Sequence, residues 1–278
     1  MINYIELAVE LAPFSPYNEI AVVWLAEIGF ESFIDEEPLL KAYIPESEFD
    51  EDTAKLALEK FNDQPVSTSF SYSIIPAQNW NKVWEDGFEP VNIDDLSIVA
   101  PFHDASYRKK RVIEIEPKMS FGTGHHQTTF LMCKAMNELD LANKKVLDMG
   151  TGTGILAINA EQLGATHILA VDVEPWSVEN TIENCNRNQC NHITALLCDI
   201  DVVTEGEFNV ILANINRNVL MSHMKAYSEL LLPRGVLLLS GFFTTDIQDL
   251  EVHAAKVGLK RMKWYEKENW ASIWFEKN

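Results

Sequence analysis

The sequence predicts an α/β protein in two units, a large parallel sheet covered on both faces and a smaller α+β unit ahead of it. Three observations carry this. From about residue 93 onward, short continuously apolar segments alternate with helix-period segments, as strands buried on both faces require. At the start, by contrast, residues 2–9 alternate in period two, the mark of a sheet with one open face. Charge divides the chain as well: the formal net charge is −20 over 278 residues, yet residues 1–92 alone hold 4 basic and 18 acidic side chains.

The first unit is set at residues 1–75. After the strand at 2–9, Ile20, Val23, Trp24 and Ile28 recur at helical spacing, and Gly29 can end that helix. Segments 30–34 and 39–44 predict two strands around an acidic turn, 48–61 a second amphipathic helix and 69–75 a fourth strand. The order is that of a ferredoxin-like module. Residues 76–92 contain Pro76, Trp80, Trp84 and Pro90 and predict a helical linker, with both tryptophans on one helix face for packing between units.

The second unit, 93–278, opens with short strands at 97–101 and 111–115, with Arg108–Arg111 read as a solvated turn. A helix follows at 127–139. Strands at 145–149, 167–172, 193–198, 208–213 and 236–240 then alternate with helices at 155–163, 176–187, 219–232 and 246–257, and strands at 260–265 and 271–275 close the chain as an antiparallel hairpin. Gly164 and Pro175 stand where a helix stop and a helix start are expected.

Ligands of such sheets sit at the carboxyl ends of the strands. There the 145–149 strand runs into Gly150, Gly152 and Gly154, a GxGxG turn in which Ile155 replaces the last glycine of the dinucleotide fingerprint. Glycines let backbone pass beneath a ligand, and the helix that follows offers free N–H groups. Asp172 ends the next strand, roughly 20 residues on, where a carboxylate can accept from both ribose hydroxyls. Asp148 has the simpler role of capping its own loop, and Asp199 is either an adenine acceptor or a turn residue. Asn214, at the end of the 208–213 strand, carries a donor and an acceptor suited to holding a cofactor or orienting an amine. Ile215 follows it, without the proline and aromatic platform that would hold a flipped base. Upstream, Phe121, Gly122, Thr123 and Gly124 form a loop that can fold over the site, with Thr128 or Thr129 as the helix cap.

With these residues assembled, the chain from Trp80 onward resembles the PrmA family, the methyltransferases of large-subunit ribosomal protein L11. The likeness rests on Trp80, Trp84, Phe88 and Pro90, on the Phe121–Gly124 block with His126, Thr128 and Thr129, on the glycine turn, and on Asp172, Asn184, Asn188, Asn214 and Ile215. It implies a Rossmann-like class I S-adenosylmethionine-dependent methyltransferase domain behind the ferredoxin-like domain, the latter recognising the ribosomal protein. It also implies trimethylation of lysine side chains and of an N-terminal α-amine. The cofactor contacts it implies are Thr129, Gly150, Asp172 and Asn214, with Phe121, Gly122, Thr123 and Gly124 close by; Gly152 is a further cofactor-binding candidate from the glycine turn. Asn214 is the one candidate for orienting the amine. Gln127 and Asn216 depart from the family's usual Pro and Leu and flank the site.

Composition narrows the alternatives. An RNA or small-molecule methyltransferase on the same fold is the rival reading, and an acidic surface repels phosphate while attracting a basic protein. No apolar run nears the ~18 residues of a membrane span, and the N-terminus lacks a basic and apolar leader. The expectation is a cytoplasmic monomer without direct nucleic-acid or membrane contact. His125 and His126 are adjacent and diverge, and the four cysteines include no CxxC, so no metal is expected and the thiols are read as free and buried.

Overall fold

The computed structural model describes residues 2–76, 87–118, 120–203 and 206–278. The chain divides into two compact units, Met1–Phe88 and Glu89–Asn278. The linker helix with Trp80 and Trp84 lies outside the described residues.

The first unit runs β1 (Tyr4–Ala12), α1 (Tyr17–Glu27), β2 (Ser32–Glu36), β3 (Leu39–Pro45), α2 (Glu51–Glu59) and β4 (Ser67–Ile75). Its antiparallel sheet has the order β2-β3-β1-β4, the ferredoxin-like arrangement. Alternation along β1 sends Ile5, Leu7, Val9 and Leu11 into the core with Ala21 and Leu25 of α1 and Ala54 and Leu58 of α2. Asp50 starts α2 by accepting from the Thr53 N–H at 2.7 Å. The opposite face is polar: the Tyr43 hydroxyl donates to Glu6 at 2.8 Å and Lys41 pairs with Glu36 at 2.6 Å.

In the second unit a small sheet, β5 (Val91–Ile93), β6 (Leu96–Val99) and β7 (Arg111–Glu114), precedes the main one. β5 was not expected; three residues are too few for periodicity to register. The main sheet contains β8 (Lys145–Met149), β9 (His167–Asp172), β10 (Ile193–Leu197), β11 (Phe208–Asn214), β12 (Leu231–Phe243), β13 (Leu259–Lys267) and β14 (Trp270–Lys277), in the order β10-β9-β8-β11-β12-β14-β13. β8 to β12 are parallel, and β14 runs antiparallel to β12 and β13 as the expected closing hairpin. Helices α3 (Gln127–Met136), α4 (Ile155–Gln162) and α5 (Pro175–Arg187) lie on one side, and α6 (Arg217–Leu230) and α7 (Ile247–Lys256) on the other. Alternation divides each strand between two cores. Val146, Ile168, Val210 and Leu212 pack with Met132 and Ile158, while Leu147, Val171, Ile211 and Ala213 pack with Leu220, Met224 and Leu250. Strand order reverses between β8 and β11, so their carboxyl ends open a crevice.

Three local readings are corrected. Arg111 is not a solvated turn residue: its guanidinium donates to Asp95, Asn137 and Asn159, tying β7 to α3 and α4. Neither threonine caps α3; the His126 ring accepts from the Thr128 N–H instead. Cys133 and Cys185 are buried, but Cys190 and Cys198 are only half-buried, and all four are free. Burial pushes the Cys133 thiol up to about 12.

Candidate functional site

The crevice is built around the glycine turn between β8 and α4. At Gly152, with φ +59°, an added Cβ would stand 2.3 Å from the Phe121 carbonyl oxygen; at Gly150, with φ +74°, it would stand 2.3 Å from Ile215 Cγ2. Backbone closes Gly152 to a side chain, and Gly150 could take one only if the Ile215 side chain moved aside and the left-handed backbone were strained. The turn is clamped on several sides. Gly150 N–H donates to Val171 O at 2.9 Å. The Thr181 hydroxyl donates to Gly152 O at 3.1 Å, and Asn184 Nδ2 donates to Thr153 O at 2.9 Å. Asp148, fully buried beneath, accepts through Oδ2 from the Thr151 hydroxyl and the Ala157 N–H, while its Oδ1 has no partner among the described residues. Burial, with a smaller push from Asp172, raises its carboxyl to about 7. Loop capping is therefore what the geometry gives Asp148.

Asp172 ends β9 and is 8% exposed. Its Oδ2 accepts from the Gly152 N–H at 2.9 Å and its Oδ1 from the Glu174 N–H at 3.0 Å. Each carboxylate oxygen keeps a lone pair, enough for two hydroxyls. Asp199 follows β10 and caps the turn 200–202, accepting from the Ile200 N–H at 2.6 Å.

Asn214 ends β11. Its Nδ2 donates to the Thr129 hydroxyl at 3.3 Å, and its Oδ1 is buried without a partner among the described residues. Thr129 is fully buried behind it. Asn216 caps α6 by accepting from the Val219 N–H at 3.1 Å, a start that a leucine there could not supply. Gln127 opens α3 and donates to Glu268.

The Phe121–Gly124 loop is stitched to the turn below it. Thr153 donates its N–H to Phe121 O at 3.0 Å and its hydroxyl to Gly122 O at 2.6 Å. Gly124 stands over Ile98 of β6, and Thr123 meets His125 Nδ1 at 3.2 Å. The sequence suggested a flexible lid, whereas the loop is tethered at two successive carbonyls. Asn184 and Asn188 hold its approach, accepting from the N–H groups of Glu116 and Glu114.

These parts enclose a cavity of about 600 Å³, within the range of small-molecule sites. Of the expected residues, Phe121, Gly150, Gly152, Asp172 and Asn214 line it; Gly122, Thr123, Gly124 and Thr129 stand behind that lining. His126, Ile215, Gly241 and Trp270 also line it and were not singled out as site residues. Gly241 follows the carboxyl end of the apolar run in β12, where the strand-end rule could have found it. Trp270 opens β14, more than a hundred residues from the glycine loop, and leaves no local signal. Burial holds the His126 imidazole below its usual value, hence neutral at pH 7. The geometry suits a ligand with hydroxyls at Asp172, a compact backbone-hugging linker at the glycines, and a donor at Asn214.

A sequence model of the family described as "Ribosomal protein L11 methyltransferase (PrmA)" matches residues 19–278. The "Ribosomal protein L11 methyltransferase" of Porphyromonas gingivalis is 42% identical over 90% of this chain and 88% of its own. That of Bacteroides thetaiotaomicron is 37% identical over 98% and 99%. Among solved structures, the ribosomal protein L11 methylase of Lactobacillus delbrueckii subsp. bulgaricus superposes with a TM-score of 0.64 at 26% identity, covering 69% of this chain and all of that one.

Proposed function

The chain belongs to the ribosomal protein L11 methyltransferase family, and from that premise we propose that it methylates lysine side chains and the N-terminal α-amine of ribosomal protein L11 in the cavity beside the glycine turn. S-adenosylmethionine is the methyl donor. Bound in that cavity, it supplies a methyl group on a positively charged sulfur. The observation that carries the site assignment is the convergence of a left-handed glycine turn, closed by backbone at Gly152, with the Asp172 carboxylate and the Asn214 oxygen that has no partner among the described residues.

In this reading Asp172 accepts from the ribose hydroxyls, and Gly150 and Gly152 bring backbone against the rest of the nucleoside. Phe121 covers it, and Gly122, Thr123 and Gly124 hold the loop that carries Phe121. Thr129 fixes the Asn214 amide through the 3.3 Å hydrogen bond, leaving Oδ1 to accept from an amine N–H. The nucleophile is a neutral amine, so a lysine with an ordinary pKa of ~10.4 sheds a proton first. A partly dehydrated cleft favours that loss. The chain's work is positioning: holding nitrogen in line with the methyl carbon and keeping water away. The ferredoxin-like unit presents the basic substrate, a role its excess of 18 acidic over 4 basic side chains in residues 1–92 supports.

Incubation with tritiated S-adenosylmethionine and separated ribosomal protein L11 and ribosomal RNA tests this. Label in the protein, mapped by mass spectrometry to lysines and the N-terminus, is expected. Label in RNA alone would replace the proposal with the rival reading.

A further inference from the structure

Three rings line the cavity with Asn214: Phe121, which also covers the donor, and His126 and Trp270, which have no part in holding it. Phe121 and His126 lie 5.2 Å apart between centroids at 62°, and His126 and Trp270 4.7 Å apart at 70°. Phe243 backs Trp270 at 4.2 Å. The rings come from the tethered loop, the cap of α3 and the first residue of β14. Two links bring them to Asn214. His126 caps the helix whose Thr129 accepts from the Asn214 amide. Trp270 pairs with Phe243 in the β12–β14 ladder, and in the same ladder Ser240, the register partner of Asn214, pairs with Ser272. The lining carboxylates are Asp172, which ends β9, and Asp199, which follows β10; β8, β11 and β12 separate β9 from β14, the strand that Trp270 begins. Glu268, near Trp270 in sequence, accepts from Gln127.

We propose that Phe121, His126 and Trp270 form the seat of the substrate ammonium, an aromatic wall that holds the amine as it gains methyl groups and so carries one nitrogen through successive methylations. The inference rests on the methyl-transfer reading and names how the acceptor is held. In that reaction the nitrogen lone pair forms the new N–C bond, and the C–S bonding pair stays on sulfur. One positive charge thus moves to nitrogen, and a proton leaves to water before the next transfer. A carboxylate here would hold the amine protonated and block attack. Aromatic faces attract the cation through their quadrupoles without taking a hydrogen bond, which suits a trimethylammonium with no N–H left to donate. A neutral His126 contributes a π face and no opposing charge, and its Nδ1 is already occupied by the Thr128 N–H.

The test compares two ligands on the full chain saturated with S-adenosylhomocysteine. One is a ribosomal protein L11 peptide bearing trimethyllysine, the other the same peptide with a carbon in place of the charged nitrogen. Calorimetry should show the ammonium peptide binding about tenfold tighter. Trp270→Leu should abolish the difference and Trp270→Phe should restore most of it. Phe121→Leu, at a half-exposed position, should reduce it by severalfold. In turnover on ribosomal protein L11, both leucine variants should accumulate mono- and dimethylated product where the native chain proceeds to trimethyl. Equal affinity of the native chain for the two peptides, or an unchanged product distribution in both leucine variants, would overturn the proposal. Absence of any methyl transfer by the native chain would instead sink the methyl-transfer reading, while the peptide pair still reports on the wall.

Discussion

The two ends of the cavity are built on different principles. At the glycine end, backbone does most of the work: a turn with no room for a Cβ, pinned by N–H and C=O bonds to its neighbours, with one carboxylate added at the next strand. At the Asn214 end, side chains from the loop before α3, the start of α3, the end of β11 and the closing hairpin converge. A backbone site tolerates almost no substitution but can be assembled from a short run of sequence. A side-chain site is adjustable residue by residue and needs the whole fold to bring its parts together. The contrast predicts abrupt failure at one end and graded change at the other.

The largest effect should come from Gly152→Val. With 2.3 Å between an added Cβ and the Phe121 carbonyl oxygen, the turn and the loop above it must separate. S-adenosylmethionine affinity measured by calorimetry should fall more than about 100-fold, since backbone incompatible with φ > 0 adds strain to the clash. Retained affinity would break the comparison outright. Asp172→Ala should lose about 10- to 100-fold in the same measurement, the range for a hydrogen bond to a charged acceptor. Asn214→Ala sharpens the boundary between the ends. Its kcat for methylation should fall about tenfold while donor affinity changes less, and the reverse split would move Asn214 to the donor end.

The smallest effect is one of pH. The Asp148 carboxyl, raised to about 7 in the fold, is protonated more readily there than in the unfolded chain. Its contribution to stability is therefore complete below about pH 4 and is lost as pH rises through 7. Asp148→Asn keeps an acceptor for Thr151 and Ala157 and does not titrate. Its stability relative to the native chain, from urea melts, should improve between pH 5 and pH 8. A constant difference would mean that Asp148 is ionised throughout.

The same contrast explains what the sequence disclosed. Gly150, Gly152 and Asp172 are close in sequence and chemically distinctive, and the strand alternation around them is strong, so their convergence was legible. Arg111 was misread because its run of basic neighbours looked like a solvated turn. Asp95 reaches it through the β6–β7 pairing, and Asn137 and Asn159 become its neighbours only when β7 lies against α3 and α4. His126 displaced the threonines as helix cap because its ring nitrogen reaches the Thr128 N–H, a competition propensity does not rank. Trp270 carried no mark at all: an aromatic residue at the start of a strand, just after a polar turn, gains meaning only from Phe121 and His126 in the same cavity.

Thr153 has a dynamic consequence. Because it binds the carbonyls of Phe121 and Gly122 while belonging to the glycine turn itself, the cover and the floor of this end of the cavity share one set of bonds. Neither can open without loosening the other. Amide hydrogen exchange should therefore slow in both segments together when the donor binds, as one cooperative unit rather than a door moving on a fixed frame.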